Sequence, residues 1–114
     1  MTNITIYQSQ YVYLGFKAYG HADFISGEEY DIVCSAISIL TQGLYFSLIE
    51  NCNIEEDEIY AKQDDGFLEI KLDYNKSDNL KVQSNFEFMI TGLKLLEAQY
   101  SNYINLEKME VQRW

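Results

Sequence analysis

One histidine and one cysteine are the residues of this sequence best suited to do chemistry together. His21 is the only histidine and ends an alternating, strand-like run, whereas Cys34, one of two cysteines, begins a long charge-free, helix-like run. A strand end and a helix start that are joined by a loop can bring an imidazole and a thiol within hydrogen-bonding distance. The arrangement predicts a Cys–His nucleophilic pair, in which Cys34 attacks a carbonyl group and His21 carries the proton.

The position of Cys34 at a helix start favours this chemistry. If the helix begins near Asp31, the thiol lies in the first turn, where the helix dipole and unpaired backbone N–H groups stabilise an anion. We therefore expect a lowered thiol pKa, and the same N–H groups can stabilise an oxyanion. Histidine suits the partner role because its ordinary pKa is close to neutral pH. Each residue also has a structural explanation: free cysteine is often a small buried hydrophobe, and a lone histidine can be a surface residue.

Two further residues stand within about one helical turn of Cys34. Asp31 precedes it by three positions and either orients His21 or caps the helix, a position that aspartate strongly prefers. Ser38 follows Cys34 by four positions, so its hydroxyl lies on the same helix face as the thiol. That hydroxyl either bonds the thiolate or a substrate, or bonds back to a carbonyl of its own helix. Cys52 lies too far along the helix for a disulfide with Cys34 and is interpreted as a passive thiol.

Composition limits the classes of protein and partner. The chain of 114 residues is expected to form one domain, residues 1–114, and its net charge of -10 disfavours nucleic-acid binding, which needs clustered Lys and Arg. An acidic balance suits a basic protein partner. One histidine and two cysteines are too few for a metal centre, and no glycine-rich phosphate loop is present, so no cofactor is predicted. Two cysteines without an export signal predict a reduced, cytoplasmic protein.

Hydrophobic periodicity predicts the elements that position these residues. Alternating apolar and polar residues predict five strands, and apolar periods of three and four predict two helices. The expected strands are 4–8, 11–19, 58–62, 67–74 and 104–111, and the expected helices run from about 31 to 50–53 and from 80 to about 102. Gly20 lets the chain leave the second strand, and Asp64-Asp65-Gly66 predicts a hairpin turn. The order ββαββαβ predicts an α+β domain with a mainly antiparallel sheet and two packed helices.

The first predicted helix is unusual because residues 32–49 carry no charge. Its length is near the lower limit for a membrane span, but its polar and apolar residues separate onto opposite sides, which is typical of a soluble amphipathic helix. The polar stripe comprises Cys34, Ser35, Ser38, Thr41, Gln42 and Tyr45. A face in water usually carries charges, so we expect a second subunit or a ligand to cover this helix, and we predict a homodimer without membrane attachment. Gly43 inside the helix predicts a close packing contact.

Two segments around the histidine and the cysteine resemble the ribosomal-processing cysteine protease family, Prp. They are Gly20-His21-Ala22 and Asp31-Ile32-Val33-Cys34-Ser35-Ala36-Ile37-Ser38, with Gly27 in the loop between them. The chain length and element order also fit this family. The resemblance implies that His21 and Cys34 form the catalytic dyad, with Asp31 and Ser38 in supporting positions. It implies a homodimer and a mobile loop, residues 21–30, over the site. Residues 28–30 make that loop longer than the family's form.

The resemblance also implies a substrate and leaves two hypotheses. The family removes a short N-terminal extension, after an aromatic residue, from the twenty-seventh protein of the bacterial large ribosomal subunit during ribosome assembly. A basic ribosomal protein suits an acidic enzyme. The first hypothesis is therefore a cysteine endopeptidase with a Cys34–His21 dyad. The second is a non-catalytic peptide-binding or ribosome-assembly protein that has the same fold and an inert Cys34.

Overall fold

The computed structural model describes residues 1–24 and 31–114. These residues form one five-stranded sheet and three α-helices. The strands are β1 (Thr2–Ser9), β2 (Val12–Tyr19), β3 (Ile59–Asp64), β4 (Phe67–Leu72) and β5 (Ile104–Glu110). The helices are α1 (Ile32–Cys52), α2 (Tyr74–Ser77) and α3 (Leu80–Gln99), and a 3₁₀ turn (Glu56–Glu58) precedes β3. The order confirms the predicted α+β fold, with the one-turn helix α2 as an addition.

The sheet topology places the end of β2 between two other strands. The strand order is β3-β4-β2-β1-β5. Neighbouring strands are antiparallel except β1 and β5, which are parallel because α3 carries the chain back across the sheet. Tyr19, at the end of β2, pairs with Asn3 on one side and Phe67 on the other. The next residues, Gly20 and His21, therefore emerge beside the β3–β4 turn.

The core lies between one face of the sheet and the two long helices. Its largest fully buried side chains include Phe16 from β2 and Phe86 from α3. The apolar periods of three and four that predicted α3 are confirmed by its buried residues Val82, Phe86, Met89 and Leu93. Burying side chains of this size stabilises the domain by about 1.5–3 kcal/mol each, so this layer fixes α1 and α3 against the sheet.

Helix α1 is fixed at both ends. Asp31 caps its start, and Asn53 closes its end in the left-handed conformation at φ 57°, which confirms the predicted bounds. By length and composition alone α1 is apolar enough to cross a membrane. Its inner face nevertheless joins the core described above, as a core helix does. The buried residues of that face are Val33, Ile37, Thr41, Leu44 and Leu48.

Two details of α1 differ from the sequence-based prediction. Thr41 is buried instead of facing outward, because its hydroxyl donates a hydrogen bond to the Ile37 carbonyl at 2.9 Å and so needs no water. The close contact predicted at Gly43 is absent: among the described residues, nothing lies within 4 Å of where its Cβ would be. The close approach occurs at Gly92 of α3 instead, where the Leu40 side chain would lie 2.7 Å from an added Cβ.

Candidate active site

Asp31 organises the start of α1. Its Oδ1 accepts hydrogen bonds from the backbone N–H groups of Val33 and Cys34, at 2.9 and 3.0 Å, and its Oδ2 accepts one from Phe24 at 2.9 Å. Of its two predicted roles, the structure supports the helix cap. Partial burial raises the pKa of this carboxyl, but the N–H donors of Cys34, Phe24 and Val33 outweigh it and lower the pKa overall. One carboxylate thus ties the helix start to the chain that follows His21.

Cys34 lies in the first turn of α1 and is half-buried. Its Sγ accepts the backbone N–H of Ala22 at 3.3 Å. That donor is held in place because Ala22 is buried and Phe24 packs edge-on against Tyr100 and Tyr103. The fold therefore aims a backbone donor at the thiol.

The pKa of Cys34 is raised, so the predicted lowering is wrong. Burial is the largest cause; the Ala22 N–H acts against it, whereas the nearby Asp31 carboxylate adds to it. The helix start alone suggested the opposite direction because it says nothing about burial or about the charge of the capping group. The raised pKa favours the thiol form of Cys34 over the thiolate in the free protein.

His21 rests on the β3–β4 turn. Its Nε2 lies 3.9 Å from Asp65 Oδ1, and a Cβ added to Gly66 would lie only 2.8 Å from Nε2. Gly20 donates its N–H to the Gly66 carbonyl at 2.9 Å, which ties the chain before His21 to the same turn. Gly66 has φ +64°, as the predicted Asp-Gly turn requires. The turn is therefore also the surface against which the imidazole lies.

Gly20 is required at the point where the chain leaves β2. It has φ +92°, and an added Cβ would lie 2.5 Å from the Met1 carbonyl oxygen. A side chain here would push against the backbone that precedes β1, so the predicted role of Gly20 in turning the chain is supported. Gly27, the other predicted loop residue, lies outside the described residues, as do positions 25–30 of the predicted lid.

A pocket of about 240 Å³ brings the predicted residues together. Cys34, Ser38 and His21 all line it, and the β3–β4 turn forms its opposite wall. Asp31 lies behind the thiol, outside this pocket. Among the hydrogen bonds of the described residues, none joins His21 to Cys34, because the imidazole rests against the turn. The pocket thus holds a thiol, an imidazole and a hydroxyl around one open space.

Sequence reasoning missed the part that the β3–β4 turn plays in this site. Asp65 and Gly66 were recognised as turn formers, but only the pairing of β2 with β4 places them beside His21. Gln42 and Gln63 also line the pocket. For Gln42 the signal was present in the polar stripe of α1, one turn beyond Ser38.

Metal ligation and disulfide formation are the other chemistry that these residue types could provide. In the ranges 1–24 and 31–114, no group of three or more His, Cys, Asp or Glu residues is placed to hold a metal ion. Cys34 and Cys52 are both free thiols. Cys52 lies at the far end of α1, and burial raises the pKa of its thiol. The side-chain amide of Asn85 in α3 donates a hydrogen bond to its Sγ at 3.5 Å.

A nucleophilic side chain at a helix start and an imidazole at a strand end, lining one pocket, are the two groups that a thiol-dependent hydrolase needs. Comparison with known proteins specifies the family. The model of the family described as cysteine protease Prp matches residues 1–105. The chain therefore belongs to the Prp family and is a cysteine protease.

Solved structures share the fold. A ribosomal processing protease Prp from Staphylococcus aureus, in complex with a covalently linked product peptide, is 22% identical with a TM-score of 0.80, over 96% of this chain and 100% of that one. The same protein with a substrate peptide gives 21% identity and a TM-score of 0.76, with 96% and 100% coverage. SMU.848 from Streptococcus mutans is 29% identical with a TM-score of 0.77, over 97% and 96% of the two chains. A search of curated proteins found no match.

Proposed function

We propose that this cysteine protease is an endopeptidase that removes the short N-terminal extension of a bacterial large-subunit ribosomal protein, the twenty-seventh, during ribosome assembly. The observation that carries the proposal is the pocket shared by Cys34 and His21. Membership of the Prp family supports it, as do the Staphylococcus aureus relatives that are named ribosomal processing proteases. The net charge of -10 suits a basic ribosomal substrate.

The proposed mechanism uses Cys34 as nucleophile and His21 as general base and acid. As Cys34 Sγ bonds to the peptide carbonyl carbon, its proton passes to the imidazole. The amine leaves with that proton when the C–N bond breaks, and a thioester remains. A water molecule then attacks the thioester while His21 takes its proton, and that proton returns to the departing sulfur. The N–H groups of Val33 and Cys34 donate to Asp31 Oδ1 in the resting protein, so they are not free to stabilise the charge on the carbonyl oxygen as the sequence suggested.

In this mechanism the imidazole approaches Sγ while the β3–β4 turn still supports it. Because His21 is exposed and, among the described residues, no hydrogen bond joins it to Cys34 at rest, the reactive pair forms when peptide enters the pocket. Asp31 supports the dyad by fixing the helix start and the Phe24 backbone. Ser38, exposed one turn beyond Cys34, is placed to bond the peptide instead of the core.

The test is cleavage of a peptide copy of the ribosomal extension. Wild type should release the extension after its aromatic residue, and Cys34→Ala and His21→Ala should lose this activity while keeping the wild-type circular dichroism spectrum. Ser35→Ala is a matched control, since Ser35 lies beside Cys34 in sequence but its hydroxyl donates to the Asp31 carbonyl. If Cys34→Ala cleaves as fast as wild type, the proposed mechanism is wrong.

We also propose that the protein is a homodimer. The outward face of the helices carries large exposed apolar residues: Ile39 (73% exposed) on α1, with Phe88 (77%) and Leu95 (60%) on α3. A groove of about 230 Å³ between the helices runs past Gly43, where open space would admit a partner's backbone. Phe88→Glu should give monomers in analytical ultracentrifugation, whereas Tyr11→Glu, at an even more exposed aromatic residue (95%) in the β1–β2 turn, should not. If the Phe88→Glu variant still forms dimers, the dimer interface does not lie on this face.

We propose that the protein is cytoplasmic, since ribosomes assemble in the cytoplasm. The free thiols of Cys34 and Cys52 support a reducing compartment. Cell fractionation with a specific antibody should find the protein in the soluble fraction. Recovery from the membrane or the medium would overturn this proposal.

A further inference from the structure

A second hollow continues the active-site pocket along α1. It has a volume of about 260 Å³ and is lined by Gln42, Tyr45, Phe46, Ala61, Gln63 and Leu68. Three of these residues, Gln42, Gln63 and Leu68, also line the pocket that holds Cys34 and His21. The two hollows therefore form one groove between α1 and β3, which we call the α1–β3 groove.

The two halves of the α1–β3 groove differ in chemistry. The near half contains the thiol, the imidazole and the carboxylates of Asp64 and Asp65. The far half is walled by Tyr45, Phe46, Ala61 and Leu68, and its lining carries no charge. An apolar side chain placed there leaves water without stripping a charged group of its hydration.

Strand β3 forms one side of the groove and, within the described part of the chain, pairs with β4 on one side only. It lies at an edge of the sheet, and every residue after Ile59 is exposed. An edge strand presents unpaired N–H and C=O groups, with which an extended peptide can pair as an added strand. Ala61 and Gln63 face the groove, whereas Tyr60 and Lys62 point to the opposite face of the sheet, as the alternation of a strand requires.

We propose that the far half of the α1–β3 groove is a specificity subsite that takes an apolar side chain of the substrate peptide while the peptide pairs with β3. This inference rests on the proposed peptidase function. Along α1, Gln42 and Phe46 lie about 12 to 18 Å beyond Cys34 at the usual helical rise. At roughly 3.3 Å per residue of extended peptide, the subsite reads a side chain about four or five residues from the scissile bond.

The experiment fills the subsite and varies the side chain that should occupy it. Ala61→Trp places a large ring in the far half of the groove, and Lys62→Trp adds the same ring on the opposite face of the same strand as a control. Both positions are exposed, so both variants should fold. The probes are fluorogenic peptides with an aromatic residue before the scissile bond and with either Leu or Ala at each position three to six residues away, on either side.

Wild type should prefer Leu over Ala at one of these positions by about tenfold in kcat/KM, mostly through KM, because the side chain is buried. Ala61→Trp should cleave the Leu peptide about as slowly as the Ala peptide, whereas Lys62→Trp should keep the preference. A general loss of stability would slow both peptides alike and leave the ratio unchanged. If Ala61→Trp reduces stability, Ala61→Leu fills the subsite less and should lower the ratio partway.

Two results would overturn the subsite: no Leu preference in wild type at any tested position, or an unchanged preference in Ala61→Trp. Failure of the proposed function is separate, since it shows as equal rates for wild type and Cys34→Ala. In that case the same peptides are titrated into Cys34→Ala by fluorescence anisotropy. Tighter binding of the Leu peptide, lost in Ala61→Trp, would still support the subsite, and equal affinities would exclude it.

Discussion

Substitution of Gly66 should impair catalysis more than it impairs folding. A Cβ at this position would lie 2.8 Å from His21 Nε2 and 3.2 Å from its Cε1. Comfortable non-bonded contact needs about 3.5 Å, so the imidazole must move by roughly 0.7 Å. Because the His21 side chain is 55% exposed, it can move without disturbing the core. Displacement of the proposed general base should therefore appear in kcat.

The expected magnitudes for Gly66→Ala follow from this geometry. A misplacement of about 1 Å in a catalytic group costs on the order of 100-fold in rate, so we expect kcat to fall by roughly ten- to a hundredfold. The backbone at φ +64° adds about 1–2 kcal/mol of strain for alanine, which lowers Tm by roughly 4–8 °C. At 25 °C the variant should still be folded.

Two control variants separate the displaced ring from the strained backbone. Gly66→Asn adds the same Cβ, but asparagine tolerates the left-handed conformation better, so stability should fall less while kcat falls as much. Asn53→Ala strains the same kind of backbone, at φ 57°, at the opposite end of α1, and should lower stability without changing kcat. Peptide cleavage and urea unfolding measure the two effects. A kcat for Gly66→Asn within twofold of wild type would refute the role of the turn as a support for His21.

Three further predictions follow from individual contacts. Asp31→Ala should lower the free energy of unfolding at pH 7 by about 1–2 kcal/mol. Because folding lowers the pKa of the Asp31 carboxyl, this carboxylate stabilises the protein fully above its pKa in the unfolded state, and the stabilisation is lost as pH falls through its pKa in the folded state. Urea unfolding from pH 7 to pH 3 should therefore show a shrinking difference in stability between wild type and Asp31→Ala. Iodoacetamide should alkylate Cys34 appreciably only at alkaline pH, since its pKa is raised; a plateau already present at pH 7 would indicate a preformed thiolate. Tyr7→Phe removes the 2.6 Å hydrogen bond to Glu69 and should lower the free energy of unfolding by about 1 kcal/mol with kcat unchanged, whereas a large loss of activity would contradict its placement away from the site.

The fold was predictable where local sequence alone decides the structure. Alternation of Leu68, Ile70 and Leu72 predicted β4, and Asp31 predicted the helix start, because these signals depend only on near neighbours. The parallel pairing of β1 with β5 was not predictable, since alternation shows which residues face the core but not which strands lie side by side. The burial of Thr41 was not predictable for a related reason: a helical wheel cannot show that a hydroxyl forms its hydrogen bond within its own helix.

The candidate site was predictable in residue type but not in geometry. Cys34 and His21 stood out because few other side chains in the chain can act as nucleophile or general base at neutral pH. The direction of the thiol pKa depends on how Ala22 and the residues around it bury the sulfur, which spacing does not encode. The contact between His21 and the β3–β4 turn depends on the pairing of β2 with β4, two strands far apart in sequence.

The geometry of α1 links the proposed chemistry to the proposed specificity. Cys34, Ser38 and Gln42 follow one another at intervals of four residues, and Tyr45 comes one turn later, so one stripe of a single helix runs from the nucleophile into the apolar half of the α1–β3 groove. The helix is capped at both ends, so the distance along this stripe is fixed. A substrate should therefore be cut at a set number of residues from its apolar anchor.

That fixed spacing can be tested by moving the anchor within the peptide. Moving the preferred Leu by one residue should reduce kcat/KM to the level of the Ala peptide, because neighbouring side chains of an extended chain point to opposite sides. Moving the Leu by two residues restores its direction but displaces the side chain by about 6.6 Å. If the peptide also has an aromatic residue two positions along, cleavage should shift by two residues. If it has none, cleavage should stay slow. Mass spectrometry of the products reads the position of each cut. A peptide that is cut at the same bond with equal efficiency in all three registers would show that α1 does not measure this distance.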